Sequence, residues 1–437
     1  LKYFGTDGIR GKAYELIDEE MSLRVGKSLK HFKKITDKVI ISRDTRESGE
    51  MIVENIKKGA ILAGLNVCDI GVYATPILAL ASYQNDCLGI MVTASHNPYL
   101  DNGIKIFNKG KKTVEKEEIL IEDVIDNDID LSNQDLGKII EMPNIISDYF
   151  KLYQDFDINL PLKVGFDLAN GATVNSALRI LPRFVESYEV IGNNPNGYNI
   201  NKDCGSTHLE KLANLVKTKH LDLGIAFDGD GDRVLVIDDK GNIVDGDLLI
   251  FLMAKYLKNK DLLNNNIVVL SKMSNLGIIR ALENLGIKVI QTEVGDKYIF
   301  KALAEEEATI GGENSGHIIN KSLLLTGDGV LNAWFLIKIL NEYNSKLSHL
   351  LDDVTLYPDK LINIKNIDKS IAKDQEIIDL VKSYQQMLSD DGKVLVRPSG
   401  TEPLIRVSVS AKTEELVDKI INDIVGKIKE KGKEKKL

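Results

Sequence analysis

Short apolar runs of four or five residues recur along this chain, and several are followed by a stretch whose apolar side chains keep helical spacing. The runs lie at 39–42, 67–70, 88–92, 163–166, 223–227, 267–270 and 288–291. Helical spacing follows at 51–62, after Pro76, at 173–181 and at 276–285. Strands this short must be covered by other elements, and their alternation with helices predicts α/β layers with largely parallel sheets. The end of the chain breaks the rhythm. Two apolar runs at 394–396 and 404–410 flank a loop with glycine and proline, with helices before and after, which predicts a small α+β unit.

At 437 residues the chain exceeds what one core can hold. Polar or turn-rich stretches at 141–144, 240–247 and 357–360 suit linkers. The expected architecture is therefore α/β in four domains: three mixed α/β-sheet domains at 1–143, 144–245 and 246–358, and a smaller C-terminal α+β domain at 359–437. The Lys-rich end at 427–436 reads as a solvated helix terminus.

With 56 Lys and Arg against 65 Asp and Glu, the net charge of −9 argues against a dedicated nucleic-acid binder, because phosphate backbones need clustered cations. Any phosphate site has to be built locally. No apolar run is long enough for a bilayer, and the longest, 248–254 and 335–340, read as buried helix segments. The start carries no signal-peptide pattern. Cys68, Cys87 and Cys204 lie far apart, without a CxxC pair, so neither a disulfide framework nor a structural zinc site is expected. A reducing cytoplasm is the expected compartment.

Four loops carry residues suited to chemistry. Thr93-Ala94-Ser95-His96-Asn97-Pro98 follows an apolar run, so Ser95 lies near a strand end, where α/β proteins place their sites. Serine needs a base or a metal to act as a nucleophile. Asp101-Asn102-Gly103 reads as a turn, with Lys105 just beyond. There is no G-x-S-x-G elbow, which argues against an α/β-hydrolase.

Asp228-Gly229-Asp230-Gly231-Asp232-Arg233 is the second loop. Three carboxylates at every second position repel one another unless a hard divalent cation lies between them. An EF-hand does not fit: its sixth position is Arg233 rather than glycine, its twelfth is Asp239 rather than glutamate, and its flanks read as strands. Three protein ligands leave room for phosphate oxygens or water, which is how Mg2+ is usually bound. Arg233 beside them suits a transferring phosphoryl group.

The third loop is Gly311-Gly312-Glu313-Asn314-Ser315-Gly316-His317. In an extended segment Glu313, Ser315 and His317 would share one face, suiting a vicinal diol of a sugar. The fourth, Arg397-Pro398-Ser399-Gly400-Thr401-Glu402-Pro403, offers hydroxyls, a guanidinium and free backbone N–H groups for an anion, and Arg406 lies on the following run. The nearest approach to a P-loop, at 5–12, has the wrong spacing, so an ATP-dependent kinase is not indicated. His31, His208, His220 and His349 read as structural or surface groups.

Taken together and in this order, the loops resemble the α-D-phosphohexomutase superfamily over essentially the whole chain. Further matching segments are Tyr3-Phe4-Gly5-Thr6-Asp7-Gly8-Ile9-Arg10-Gly11, Pro195-Asn196-Gly197, Val294-Gly295-Asp296-Lys297-Tyr298 and Thr326-Gly327-Asp328-Gly329. Ser399-Gly400-Thr401-Glu402-Pro403 favours the glucosamine branch over the phosphoglucomutase/phosphomannomutase branch, which stands as the alternative. Asn314 stands where the glucosamine branch often has glutamine, and Thr93 where serine is common.

The resemblance implies four domains around a central cleft, with one loop from each. It implies that Ser95 is a phosphoserine, and that Asp228, Asp230 and Asp232 hold one Mg2+ with the Ser95 phosphate. Glu313 and Ser315 would hold sugar hydroxyls, with His317 nearby. Arg397, Ser399, Gly400, Thr401 and Arg406 would grip the non-reacting phosphate, while Arg10, His96 and Lys105 surround the reacting oxygen and phosphoryl group. Lys105 and His96 are both candidates for the acid/base. The implied reaction converts glucosamine 6-phosphate reversibly to glucosamine 1-phosphate through glucosamine 1,6-bisphosphate, which is intermediate and activator. It would feed UDP-N-acetylglucosamine and cell-wall synthesis. The expected partner is a small-molecule sugar phosphate, with no nucleic acid and no membrane; a homodimer is compatible with this reading.

Overall fold

The computed structural model describes residues 1–133, 135–398 and 404–434. They form two compact units, one of residues 1–273 and 286–352, the other of 274–285 and 353–437.

The first unit contains three mixed sheets. In the first, Lys38–Arg43 lies parallel to both Asn66–Val72 and Leu88–Val92. Asp101–Asn108 then runs antiparallel to Leu88–Val92 and to Gly8–Lys12. In the second, Leu223–Phe227 and Ser187–Ile191 flank Lys163–Asp167 in parallel, and Val234–Ile237 pairs antiparallel with Leu223–Phe227. In the third, Lys288–Thr292 and Ile310–Gly312 flank Ile267–Ser271 in parallel, and Ile318–Asn320 pairs antiparallel with Ile310–Gly312. The expectation of largely parallel sheets is thus corrected. Each sheet has a parallel part and an antiparallel neighbour, because a chain of only a few residues joins the two strands and cannot make a parallel crossover.

The central strands are apolar because both their faces are covered. All five residues of Leu88–Val92, of Leu223–Phe227 and of Ile267–Ser271 are buried. Each fully buried Leu, Ile, Val, Met or Phe contributes on the order of 1.5–3 kcal/mol. Residues 248–254 and 335–340 lie within the helices Gly246–Asn259 and Gly329–Tyr343, as buried segments. No helix among the described residues is long and apolar enough to cross a membrane.

Two local expectations change. Asp101-Asn102-Gly103 is not a turn but the start of the strand Asp101–Asn108. There Gly103 serves close approach: a Cβ would strike the carbonyls of Ile9 and Thr93. The helical spacing at 173–181 is broken into the 3-10 turn Ala172–Asn175, the short helix Ala177–Ile180 and a second 3-10 turn, Leu181–Phe184. Pro182 lacks the N–H that a continuous helix would need there.

In the second unit an antiparallel sheet of Asp359–Lys365, Leu404–Ala411 and Gly392–Pro398 packs with the helices Gln375–Leu388 and Glu414–Glu434. Its core includes Val394, Ile405, Val407, Val409, Ile420 and Ile424. The helix Leu276–Asn284 belongs to this unit although its neighbours in sequence belong to the first.

Candidate active site

Three of the four loops leave the same topological position. Residues 93–100, 228–233 and 313–317 each follow the C-terminal end of a parallel strand and lead into its antiparallel partner. That end of an α/β sheet is where ligands bind.

Ser95 is fully buried and has a left-handed backbone, φ +53°, a conformation that costs a non-glycine residue roughly 1–2 kcal/mol. The surroundings enforce it. The Ser95 N–H donates to Thr93 Oγ1 at 2.9 Å, and the Thr93 hydroxyl donates to Asp44 Oδ2 at 2.6 Å. Arg46, 1% exposed, pairs with Asp44 at 2.9 Å and donates to the carbonyls of Ser95 (3.0 Å), Pro98 (2.5 Å) and Asp101 (3.0 Å). Asn201 Nδ2 adds donors to Ser95 O at 2.9 Å and Asn97 O at 3.0 Å. Ser95 Oγ itself donates to Asp228 Oδ2 at 2.6 Å.

The aspartate loop is held by its carbonyls. Ala172 N donates to Gly229 O at 2.8 Å, Thr75 N to Asp230 O at 2.9 Å, and Gly329 N to Gly231 O at 2.9 Å. Each donor is the first residue of a helix or 3-10 turn, where N–H groups lack intrahelical partners. Three consecutive carbonyls are thus fixed by three separate segments. A Cβ at Gly229 would strike Ser95 O, so glycine there lets the serine and aspartate loops touch.

Asp228, Asp230 and Asp232 are buried, and one oxygen from each lies within 4.8 Å of the others. Burial, with its two neighbours, pushes the Asp228 carboxyl well above the usual carboxylate range. Burial would also raise Asp232, but Lys105, His317 and Arg233 pull it well below. Lys105, 1% exposed, places Nζ 2.7 Å from Asp230 Oδ2, 3.1 Å from Asp232 Oδ2 and 3.0 Å from Asp7 Oδ2. Burial works against its charge, but these carboxylates hold it well above the ordinary lysine value.

The donor set fits a divalent cation. Asp230 Oδ1 and Asp232 Oδ1 are buried and accept no hydrogen bond, while the second oxygen of each is held by protein groups. Asp228 Oδ1 accepts from Gly231 N at 3.1 Å and Arg233 N at 3.2 Å, leaving Oδ2 toward Ser95. Buried anionic oxygens without donors, all of hard oxygen type, match Mg2+.

The third loop is not extended. Glu313 N donates to His317 O and Gly316 N to Glu313 O, each at 3.0 Å, with Gly316 at φ +91°, so the segment is a tight turn between Ile310–Gly312 and Ile318–Asn320. Glu313, Ser315 and His317 therefore do not share a face by strand alternation. Glu313 Oε1 instead accepts from Gly295 N at 2.8 Å. His317 turns toward the carboxylate cluster, its Nδ1 3.7 Å from Asp232 Oδ2. Ser315 Oγ is buried without a hydrogen-bond partner. Gly327 packs against the His317 ring.

His96 Nδ1 lies 3.4 Å from Ser95 Oγ and accepts from Arg233 Nη1 at 3.2 Å. Burial, then Arg233 and Arg10, push its pKa down to about 4, so the imidazole is neutral at neutral pH. Arg10 pairs with Asp7 at 2.5 Å, and Lys112 pairs with both Asp7 and Asp296.

The structure thus brings Ser95, His96, Lys105, Arg10, Arg233, the three aspartates and His317 into one cluster, with Glu313 and Ser315 on the adjoining turn. In the second unit, Arg397 and Arg406 lie directly opposite each other on paired strands, and so on one face of that sheet. Ser399, Gly400 and Thr401 lie outside the described residues. Sequence reasoning missed Asp44, Arg46, Thr75, Asn201, Lys112 and the structural use of Asp7 and Asp296. The one available signal was the charged Asp44-Thr45-Arg46 segment directly after the strand Lys38–Arg43.

Comparison with known proteins agrees along the whole chain. The phosphoglucomutase/phosphomannomutase family models match in order: α/β/α domain I over residues 1–131, domain II over 147–241, domain III over 245–357 and the C-terminal domain over 361–427. A phosphoglucosamine mutase of Halalkalibacterium halodurans is 41% identical over 439 residues, covering 98% of each chain. One of Streptococcus uberis is 41% identical, covering 97% of each. Among solved structures, a phosphoglucomutase/phosphomannomutase family protein of Burkholderia thailandensis superposes with a TM-score of 0.80 at 21% identity, covering 98% of this chain and 97% of that one. An N-acetylphosphoglucosamine mutase of Aspergillus fumigatus, in complex with GlcNAc-6P and magnesium, gives 0.68 at 17% identity, covering 98% and 96%. These two likenesses concern the fold.

Proposed function

The chain belongs to the phosphoglucomutase/phosphomannomutase family, and on that premise we propose that it interconverts glucosamine 6-phosphate and glucosamine 1-phosphate, using Ser95 as the phosphoryl carrier. The observation that carries this is the 2.6 Å hydrogen bond from Ser95 Oγ to Asp228, at the edge of three converging carboxylates. The full-length similarity to phosphoglucosamine mutases favours the amino sugar over the phosphoglucomutase/phosphomannomutase alternative. Glucosamine 1-phosphate feeds UDP-N-acetylglucosamine and cell-wall synthesis, the place the resemblance gives it.

The reaction begins from phosphorylated Ser95. Its Oγ–P bond breaks as a bond forms from phosphorus to the free sugar hydroxyl, giving glucosamine 1,6-bisphosphate. The hydroxyl proton leaves to a nearby base, a nearby acid gives a proton to the departing Ser95 Oγ, and Ser95 is left as the hydroxyl that donates to Asp228. The bisphosphate turns end for end, and its other phosphoryl group returns to Ser95. One Mg2+, held by Asp228, Asp230 and Asp232, would neutralise charge on the transferring group. Two unit charges of like sign at 4 Å repel by roughly 4 kcal/mol at an effective dielectric near 20, so flanking cations are needed. Arg10, Arg233 and Lys105 supply them, and the reaction is driven by positioning and electrostatics.

Lys105 enters as an ammonium and His96 as a neutral imidazole, so in this proposal they differ as donor and acceptor. Glu313 and Ser315, beside His317, hold sugar hydroxyls. Arg397, Ser399, Gly400, Thr401 and Arg406 grip the non-reacting phosphate; two guanidiniums on one face of a sheet suit such an anion. Divisions at 143/144, 245/246 and 358/359 would give each loop a domain of its own.

A coupled assay with glucosamine 6-phosphate, Mg2+ and a trace of glucosamine 1,6-bisphosphate tests the reading. Formation of glucosamine 1-phosphate without stoichiometric inorganic phosphate is expected. Stoichiometric phosphate release would make the protein a phosphatase instead, and faster turnover of glucose or mannose 6-phosphate would favour the alternative.

A further inference from the structure

Thr75 makes two bonds to one aspartate. Its N–H donates to Asp230 O at 2.9 Å, and its hydroxyl donates to Asp230 Oδ2 at 2.5 Å. The residue is 1% exposed and opens the helix Thr75–Gln84. Pro76, next in line, has no N–H of its own to offer. Lys105 also donates to Asp230 Oδ2, at 2.7 Å, but its ammonium is shared with Asp232 and Asp7. Thr75 serves both the main chain and the carboxylate of Asp230.

The consequence is asymmetry between two chemically equal oxygens. The terminal torsion of an aspartate is soft and nearly two-fold, so nothing intrinsic decides which oxygen faces the cluster. Here Oδ2 is tied, while Oδ1 is buried and accepts no hydrogen bond. A β-branched side chain has few χ1 options, so the tether is stiff. A carboxylate held in this way presents one oxygen. Mg2+ takes near-octahedral sites with single oxygens at short range, whereas Ca2+ takes six to eight ligands and readily accepts both oxygens of a carboxylate.

We propose that Thr75 is a positioning residue that sets the cation preference of the carboxylate cluster, by restricting Asp230 to one inward-facing oxygen. This rests on the reading that Asp228, Asp230 and Asp232 hold a divalent cation. Loss of the hydroxyl leaves Asp230 Oδ2 held only by the Lys105 ammonium, which is shared with Asp232 and Asp7, so Asp230 can turn and offer both oxygens, which weakens the site for Mg2+ more than for Ca2+.

The test measures Mn2+ binding to the purified full chain by electron paramagnetic resonance, with Mg2+ and Ca2+ as competitors. Thr75→Val keeps the shape and removes the donor. It is expected to weaken Mg2+ binding by about 10–100-fold, the usual effect of losing a partner of a metal ligand, and to move the Ca2+/Mg2+ preference toward Ca2+ by about tenfold. Thr75→Ser, which keeps the hydroxyl, should retain the wild-type preference. The pair Thr75→Ser and Thr75→Ala isolates the hydroxyl should the valine variant fail to fold. Equal Mg2+ affinity and preference in the serine and alanine variants would overturn the proposal, as would equal losses in serine and valine, which would mean that only packing was disturbed. If wild type bound no Mn2+, or Asp228→Asn bound it unchanged, the cation reading itself would fail, and the role of Thr75 with it.

Discussion

Removal of Arg46 should damage the protein more than removal of Arg46 together with its partner. The Arg46 and Asp44 side chains are both 0% exposed and 2.9 Å apart. In Arg46→Met the Asp44 charge stays buried without its counter-ion, which costs about 3–5 kcal/mol. That is a large share of the roughly 5–15 kcal/mol of a typical domain. In the double variant Asp44→Asn/Arg46→Met no charge is stranded. The carbonyls of Ser95 and Pro98 keep donors in Asn201 Nδ2 and Asp101 N, so the remaining cost is lost hydrogen bonding, about 1–3 kcal/mol. The double variant should therefore be the more stable of the two, a coupling readable in a double-mutant cycle. Urea unfolding followed by the fluorescence of Trp334, the single tryptophan and 4% exposed, measures it. Turnover should fall in both variants, by about 100-fold if the Ser95 loop shifts by 1 Å. A double variant as unstable as the sum of the two single ones would refute the reasoning, and so would full activity in Arg46→Met.

Ser95→Ala should reduce turnover to background while the unfolding transition stays near wild type; intact mass should then show no phosphorylated form, and retained activity would exclude Ser95 as carrier. His96, with its pKa near 4, is neutral across the working range, so His96→Gln should leave the shape of the kcat/KM profile between pH 5.5 and 8.5 unchanged. An inflection that disappears in that variant would show that the imidazole does titrate there. Asp328 accepts from Tyr149 Oη at 2.8 Å and is fully buried; burial raises its pKa from 3.8 to about 7. A carboxyl raised on folding binds its proton more tightly in the native state, so this group's contribution falls as pH rises from about 4 to about 7 and is flat above, a span on the order of 4 kcal/mol. Asp328→Asn should flatten that slope and be the more stable form at pH 8; urea midpoints at pH 5 and pH 8 decide, and an unchanged slope would refute it.

What was legible in the sequence follows from how far each residue's determinants lie along the chain. The runs at 88–92 and 223–227 coincide with the strands Leu88–Val92 and Leu223–Phe227, because burial on both faces writes itself as a continuous apolar stretch. The Asp228 loop was legible because the repulsion among its carboxylates is local and calls for a cation. Thr75 was not legible: its partner Asp230 is 155 positions away, and a threonine before a proline reads as an ordinary helix start. Arg46 shows only as part of a charged segment after a strand; its contacts to Ser95 and Asp101, about fifty positions on, are what give it a role, and no local pattern states them. Asp101-Asn102-Gly103 has the composition of a turn, and only the carbonyls of Ile9 and Thr93 closing over Gly103 make it a strand.

The same distinction explains the geometry of the site. Each of the three described loops is placed by its own sheet, at the end of a parallel strand, and that placement is encoded locally. Their convergence is not. It depends on two helix starts that follow strands of the other two sheets, at Thr75 and Gly329, whose N–H groups hold the consecutive carbonyls of Asp230 and Gly231 in the aspartate loop. Such an arrangement is stiff, because moving Asp230 requires breaking bonds to segments that its own sheet does not control. A carboxylate cluster built in this way has its oxygens set in advance, so the ordering cost of holding a cation there would fall on the folding of the chain rather than on each binding event. For phosphoryl transfer that is the favourable division, since catalysis there depends on charges already in place when the phosphoryl group moves.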